Sequence, residues 1–175
     1  MTEENVILVN QNDEQIGLMP KLEAHEKALL HRAFSVFILN SKNEIMLQQR
    51  AHQKYHSPLL WTNTCCSHPR LNENIIDAGK RRLMEEMGFT TDLSEMFAFI
   101  YKADLDNQLI EHEYDFVLIG KFEDNPVVNL DEVEDFAYWN MDFIELDMEQ
   151  NPKKYTEWFK ICFPKLKEML NLKAA

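Results

Sequence analysis

The alternation of apolar and polar residues divides the chain into several stretches of period two and one stretch of helical period. Val6 to Val9 is apolar and leads into a polar turn around Asn12 and Asp13, so the first forty residues read as short strands. His31 to Leu39 is rich in β-branched and aromatic residues. So is Ile45 to Leu47, after the turn Asn40-Ser41-Lys42-Asn43, and together they predict a hairpin. Residues 74–87 predict a helix, because Ile76, Leu83 and Met87 fall at near-helical spacing. Asn74 is placed to cap its start, and Gly88 stands where a left-handed C-terminal cap belongs. Met96 to Tyr101 and Ile110 to Ile119 predict two more strands around the turn Asp104-Leu105-Asp106-Asn107, and Phe136 to Trp139 a further one. Beyond about Phe143, amphipathic stretches are limited by Pro152 and Pro164. Strands, then a helix, then strands and helices make an α+β domain.

Composition narrows the function. The 175 residues amount to one domain, 1–175, and 45% apolar residues suffice for a core without disulfides. Thirty acidic residues against eighteen basic ones give a formal charge of -12. That balance argues against nucleic acid and against an anionic membrane, and an anionic small substrate needs a local basic pocket. No apolar run approaches the ~20 residues of a membrane span. The acidic start, Met1 to Asn5, has no signal-peptide pattern, and three cysteines make a poor disulfide framework. A reducing cytoplasm is therefore the predicted location. Four glycines leave no room for a glycine-rich nucleotide loop.

Three places could carry chemistry. On a strand, Glu111, Glu113 and Asp115 point to one face and Ile110, His112, Tyr114 and Phe116 to the other, with the second expected to be the apolar face. Three acids in a row repel one another unless a cation or solvent separates them, and a solvated edge strand is the plain alternative. In Cys65-Cys66-Ser67-His68, an extended backbone puts Cys66 and His68 on one face, where thiol and imidazole can line a pocket. A buried small hydrophobe and a satisfied histidine are the alternatives, and a finger-type zinc site lacks its second Cys/His pair. His25 and His31 form the third candidate, against surface histidines or a helix cap; spacing does not separate them from His52, His56 and His112. Lys21, Arg50, Lys54 and Arg82 are scattered cations that could form the missing pocket, though each singly reads as solvated, and Arg82 with Glu86 as a helical ion pair.

From Glu73 to Phe89, E-x7-R-R-L-x-E-E-x-G-F resembles the Nudix box. Two positions depart: Ser67 stands where the first glycine is expected, and Arg82 replaces the glutamate after Arg81. With W-T-N-T-C-C-S-H-P upstream and E-H-E downstream, the chain resembles type 1 isopentenyl diphosphate isomerase from about Val6 to the Trp158 region. The resemblance implies a Nudix-type mixed β-sheet sandwiched by helices, with a core over about 30–165 and N-terminal strands contributing His25 and Lys21. It implies conversion of isopentenyl diphosphate to dimethylallyl diphosphate. His25, His31, His68, Glu111 and Glu113 would hold one divalent ion (manganese, magnesium or zinc), and Glu86 a magnesium carried in with the diphosphate. Cys66, Glu113 and Tyr101 would be catalytic, with Glu113 and Tyr101 protonating one side of the carbon skeleton and Cys66 serving the other. Lys21, Arg50, Lys54 and Arg82 would bind the diphosphate, and Trp158 would cap the hydrocarbon end. The alternatives are hydrolysis of a nucleoside diphosphate derivative and a non-catalytic metal-binding module.

Overall fold

His31 to Leu39 has almost no polar side, and a strand with that composition has to be covered on both faces. In the computed structural model, which describes residues 5–174, this segment is the central strand of a mixed sheet. Residues 1–4 of the acidic start, and residue 175, lie outside the described residues. The elements run β1 (Asn5–Val9), β2 (Gln15–Pro20), α1 (Lys21–Glu26), β3 (His31–Leu39), β4 (Ile45–Arg50), β5 (Trp61–Thr62) and β6 (Cys65–Ser67). They continue with α2 (Ile75–Met87), β7 (Leu93–Asp104), β8 (Ile110–Lys121), β9 (Val133–Trp139), α3 (Met141–Gln150) and α4 (Glu157–Ala174).

Strand β3 pairs in parallel with β8 along its whole length, from His31 opposite Glu113 to Leu39 opposite Lys121. On its other side it meets three antiparallel partners in turn: β1 at His31, β6 from Phe34 to Val36, and β4 at Ile38 and Leu39. β7 continues the sheet beyond β8, and β9 beyond β4. Even-numbered residues of β3 pack with Leu118 against Ala78, Leu83 and Met87 of α2. Odd-numbered residues Phe37 and Leu39 pack with Val117 against Trp158, Phe159, Phe163 and Leu166 of α4. Helices therefore cover both faces, and the domain is α+β with a helix-sandwiched mixed sheet.

Helix α2 is delimited by its own caps. The Asn74 side chain accepts a hydrogen bond from the Ile76 amide at 2.9 Å, and Gly88 turns the chain out with a φ of 73°. Two expectations need correction, and a third is met only in part. The hairpin of β3 and β4 is present but joined at only two residue pairs, because β6 takes up the facing edge of β3 from Phe34 to Val36 and β5 that of β4 at Gln48 and Gln49. The first forty residues contain the short helix α1 as well as strands. Pro164 does not limit a helix but lies within α4. A proline there removes one backbone hydrogen bond, and burial of Phe159, Cys162, Phe163 and Leu166 on both sides of it holds the helix together. Among the described residues no helix is long and apolar enough to cross a membrane.

Candidate active site

The strand register decides where the acids point. Glu113 pairs with His31 of β3 and with Tyr101 of β7, and Asp115 pairs with Ala33, so these residues share one face. Glu111, Glu113 and Asp115 are 5%, 6% and 1% exposed. The expected orientation is thus overturned: the acidic side of β8 is its inner side. A solvated edge is also excluded, because β8 lies between β3 and β7. Ile110, His112, Tyr114 and Phe116, taken from the alternation as the core side, are only half-buried.

Three imidazoles meet these acids. His25 is buried on α1, His31 opens β3, and His68 follows β6. Ring centroids are 5.1 Å apart for His25 and His31 and 5.0 Å for His31 and His68. One ligand atom each from His25, His31, His68 and Glu113 lies within 4.8 Å of the others. His31 Nδ1 lies 2.8 Å from the Leu29 carbonyl, which makes it the protonated nitrogen and leaves Nε2 as a lone-pair donor 3.5 Å from Glu113 Oε1. His68 Nε2 is 3.1 Å from the same oxygen. Both ring nitrogens of His25, Nε2 of His31 and Nδ1 of His68 are buried without a hydrogen-bond partner. Burial, then the neighbouring imidazoles, lower His25 to about 3. Burial first, with Lys21 nearby, lowers His68 to about 4. Burial pushes Glu113 up, but the histidines facing it hold it well below the usual carboxylate range. Imidazole nitrogens without hydrogen-bond partners around a buried carboxylate fit a divalent cation.

Glu111 lies outside that group of four. The Tyr101 hydroxyl donates to Glu113 Oε2 at 2.6 Å and also reaches Glu111 Oε2 at 3.1 Å. Burial, and then the charge of Glu113, push Glu111 well above its usual range.

The thiols separate by strand parity. Cys66 is opposite Ser35, on the face of His31 and Glu113, whereas Cys65 is opposite Val36, on the α2 face. Cys65 is accordingly fully buried with Phe34, Val36 and Leu83. Cys66 is half-buried at the cavity, and burial pushes its thiol up to about 12. Asn63 holds this segment by donating to the Cys65 carbonyl at 2.6 Å, while its own side-chain oxygen accepts from Trp158 Nε1 at 3.3 Å.

These groups open onto one cavity of about 570 Å³, which Tyr101, Glu111, Glu113, Cys66 and Trp158 all line. Lys21, Arg50, Lys54 and Arg82 line it too. The Lys21 ammonium has no ion-pair partner among the described residues. Arg50 donates to the carbonyls of Ser57 at 3.2 Å and His56 at 3.1 Å and sits 5.1 Å from the Trp158 ring. Arg82 pairs with Glu85 at 2.7 Å and with Glu86 at 2.5 Å, and Lys54 pairs with Glu132. Glu86, buried at the cavity wall, also accepts from Gln48 Nε2 at 2.9 Å. Outside the cavity, Arg81 grips Glu73 with two hydrogen bonds of 2.7 and 2.9 Å, fixing the segment before α2. His56 also lines the cavity, edge-on to Trp158 at 5.9 Å and lowered to about 2 by burial and Arg50. Sequence reasoning did not single it out from the other histidines.

The NUDIX domain family model matches residues 29–159. Among curated proteins, isopentenyl-diphosphate Delta-isomerase 2 of Photorhabdus laumondii is 48% identical over 90% of this chain and 89% of its own. The isopentenyl-diphosphate Delta-isomerase of Pectobacterium atrosepticum is 47% identical over 92% and 90%. Among solved structures, a Deinococcus radiodurans protein superposes with a TM-score of 0.74 at 14% identity, covering 90% of this chain and 96% of its own. The MutT protein of Methanosarcina mazei Go1 reaches 0.65 at 16% identity, over 79% and 94%. Both structural likenesses concern the fold alone.

Proposed function

The chain belongs to the isopentenyl-diphosphate Delta-isomerases within the NUDIX superfamily, and we propose that it converts isopentenyl diphosphate to dimethylallyl diphosphate with Cys66, Glu113 and Tyr101. The observation that carries these roles is placement. Cys66 on β6 and Glu113 on β8 flank β3 from opposite sides and line the same cavity. Moving the double bond adds one proton to the terminal methylene and removes one from the carbon nearer the diphosphate. The enzyme therefore needs a donor and an acceptor, through a species resembling a tertiary carbocation.

In the forward direction the carboxyl of Glu113, with the Tyr101 phenol against its Oε2, delivers the proton, and Cys66 Sγ receives the other. In the reverse direction the roles exchange. A protonated Cys66 and an ionised Glu113 are the states reached after a forward turnover, so Cys66 has to give up one proton and Glu113 regain one before the next. The ring face of Trp158 stabilises developing positive charge by about 0.5–2 kcal/mol and keeps out water that would trap it. Lys21 and Arg50 lead the binding of the diphosphate, joined by Lys54 and Arg82.

His25, His31, His68 and Glu113, with Glu111 beside them, would hold one divalent ion (manganese, magnesium or zinc), and Glu86 a magnesium that enters with the diphosphate. Held there, such an ion would supply a fixed positive charge beside Glu113 and so tune its acidity. Three free cysteines suit a reducing cytoplasm.

The test follows carbon skeleton and phosphate together. With isopentenyl diphosphate, proton and phosphorus NMR should show dimethylallyl diphosphate and no released phosphate. Activity should vanish on chelation and return with manganese, magnesium or zinc, at one ion per chain in the absence of substrate. Hydrolysis of nucleoside diphosphate derivatives with no isomerisation overturns the reading.

A further inference from the structure

Two of the four cations at the cavity already hold an anion supplied by the chain itself. Glu132 directs one carboxylate oxygen to both Lys54 Nζ and Arg82 Nη2, the latter at 3.5 Å. All three side chains line the cavity and all are at most a quarter exposed. Burial pushes the Glu132 carboxyl up, but Lys54 and Arg82 outweigh it and hold the group below its ordinary range, so it is ionised at neutral pH.

The backbone under Glu132 is fixed independently of that carboxylate. Its carbonyl accepts from the Ala51 amide at 3.0 Å, and its amide donates to the Asn129 carbonyl at 2.9 Å. Asn129 is in turn tied to the end of α2, its amide donating to the Glu86 carbonyl at 2.8 Å. The side chain can therefore swing away from the two cations without disturbing the loop that carries it.

We propose that Glu132 is an affinity-setting residue: a resident carboxylate that occupies Lys54 and Arg82 in the empty pocket and that an incoming diphosphate displaces. This rests on the reading of the cavity as a diphosphate pocket. A carboxylate left in place would stand beside the phosphates as a like charge. Displaced, it costs the ligand the free energy of its two ion pairs. Binding is thereby weaker than the four cations alone would give, which favours product release, and the cations stay paired whenever the pocket is empty.

Inorganic pyrophosphate is the probe, titrated by calorimetry into the purified chain without added magnesium. Glu132→Gln keeps the size of the side chain and removes its charge. It should bind pyrophosphate about three- to tenfold more tightly than the parent chain, as expected when two partly buried ion pairs no longer compete. Asp131 also lines the cavity but pairs with neither cation, so Asp131→Asn measures the effect of removing a charge without removing a competitor. It should change affinity less than twofold. If Glu132 only props up Lys54 and Arg82, Glu132→Gln will bind pyrophosphate more weakly, and the proposal fails while the diphosphate pocket stands. Equal gains in the two variants would show general charge repulsion and also end it. No pyrophosphate binding by either the parent or the variants overturns the diphosphate pocket and this inference with it.

Discussion

Adjacent cysteines offer a sharp test, because the register gives them different surroundings from one residue to the next. Cys66 faces the cavity opposite Ser35, and Cys65 faces α2 opposite Val36. Cys66→Ser keeps the shape of the side chain but replaces the sulfur with an alcohol far less able to give up or hold a proton at this position. Loss of a positioned acid or base lowers kcat by about 10²–10⁴-fold. Because Cys66 is only half-buried and packs at the rim of the core, stability should barely change. Cys65→Ser has the opposite signature. It puts a hydroxyl at a fully buried site among Phe34, Val36 and Leu83, where a polar group costs about 1–3 kcal/mol if it finds no partner.

About 1 kcal/mol in a chain of this length lowers Tm by roughly 2–4 °C. Dimethylallyl diphosphate formation followed by NMR at 25 °C, together with calorimetric unfolding of both variants, separates the two effects. An active Cys66→Ser chain beside an inactive, normally stable Cys65→Ser chain would refute both the parity argument and the assignment of Cys66 to proton transfer.

Tyr101→Phe removes the 2.6 Å hydrogen bond to Glu113. A hydrogen bond to a charged group is worth about 1.5–3 kcal/mol, so kcat should fall by about 10- to 150-fold while KM holds, and a loss under threefold would count against a role for the phenol. Gly79→Ala would place a Cβ 2.8 Å from Leu118 and 2.9 Å from Leu93. Overpacking of that kind costs about 1–3 kcal/mol, against about 1 kcal/mol gained by alanine over glycine inside a helix, so a clear rise in Tm in calorimetry would contradict the tight contact of α2 with the sheet.

What could be read in the sequence was local. Asn74 and Gly88 mark α2 because a cap is a property of a few consecutive residues. The separation of Cys65 from Cys66 was legible for the same reason, since alternation along one strand needs no knowledge of its partners. The orientation of β8 was not. Hydrophobicity there pointed to Ile110, His112, Tyr114 and Phe116 as the inner side, but a strand that lines a polar cavity turns its acids inward and leaves its apolar residues half-covered. The convergence of His25, His31 and His68 was beyond spacing arguments, because it depends on α1, β3 and β6 meeting through long-range pairing. The residue resemblance supplied that set. His56 sits in the irregular stretch between β4 and β5, next to Ser57 with its positive φ of 49°, where no periodicity exists to be read.

The arginine at position 82 suits the proposed chemistry at carbon. Beside and along α2 stand Glu73, Glu85 and Glu86, and each is engaged by a guanidinium: Glu73 by Arg81, Glu85 by both arginines, Glu86 by Arg82. A helix whose acids are neutralised in this way, with Glu86 alone proposed to meet a magnesium carried in by the diphosphate, is poorly equipped to activate water against a phosphorus atom. Arg82 adds a cation where a further carboxylate would have repelled the diphosphate. The concentration of buried, partly unpaired acid–base groups lies instead on β3, β6 and β8, where His31, Cys66 and Glu113 share a face. Lys21, Arg50, Lys54 and Arg82 thus line the cavity with cations, Cys66, Tyr101 and Glu113 with groups able to move protons, and Trp158 with an aromatic ring. In the proposed roles the diphosphate rests on the cations and the carbon chain lies among the proton-transferring groups. Replacing Arg82 with an acid, Arg82→Glu, should therefore weaken binding without creating a hydrolase, because it removes one of the cations proposed to hold the diphosphate and brings no water-activating group.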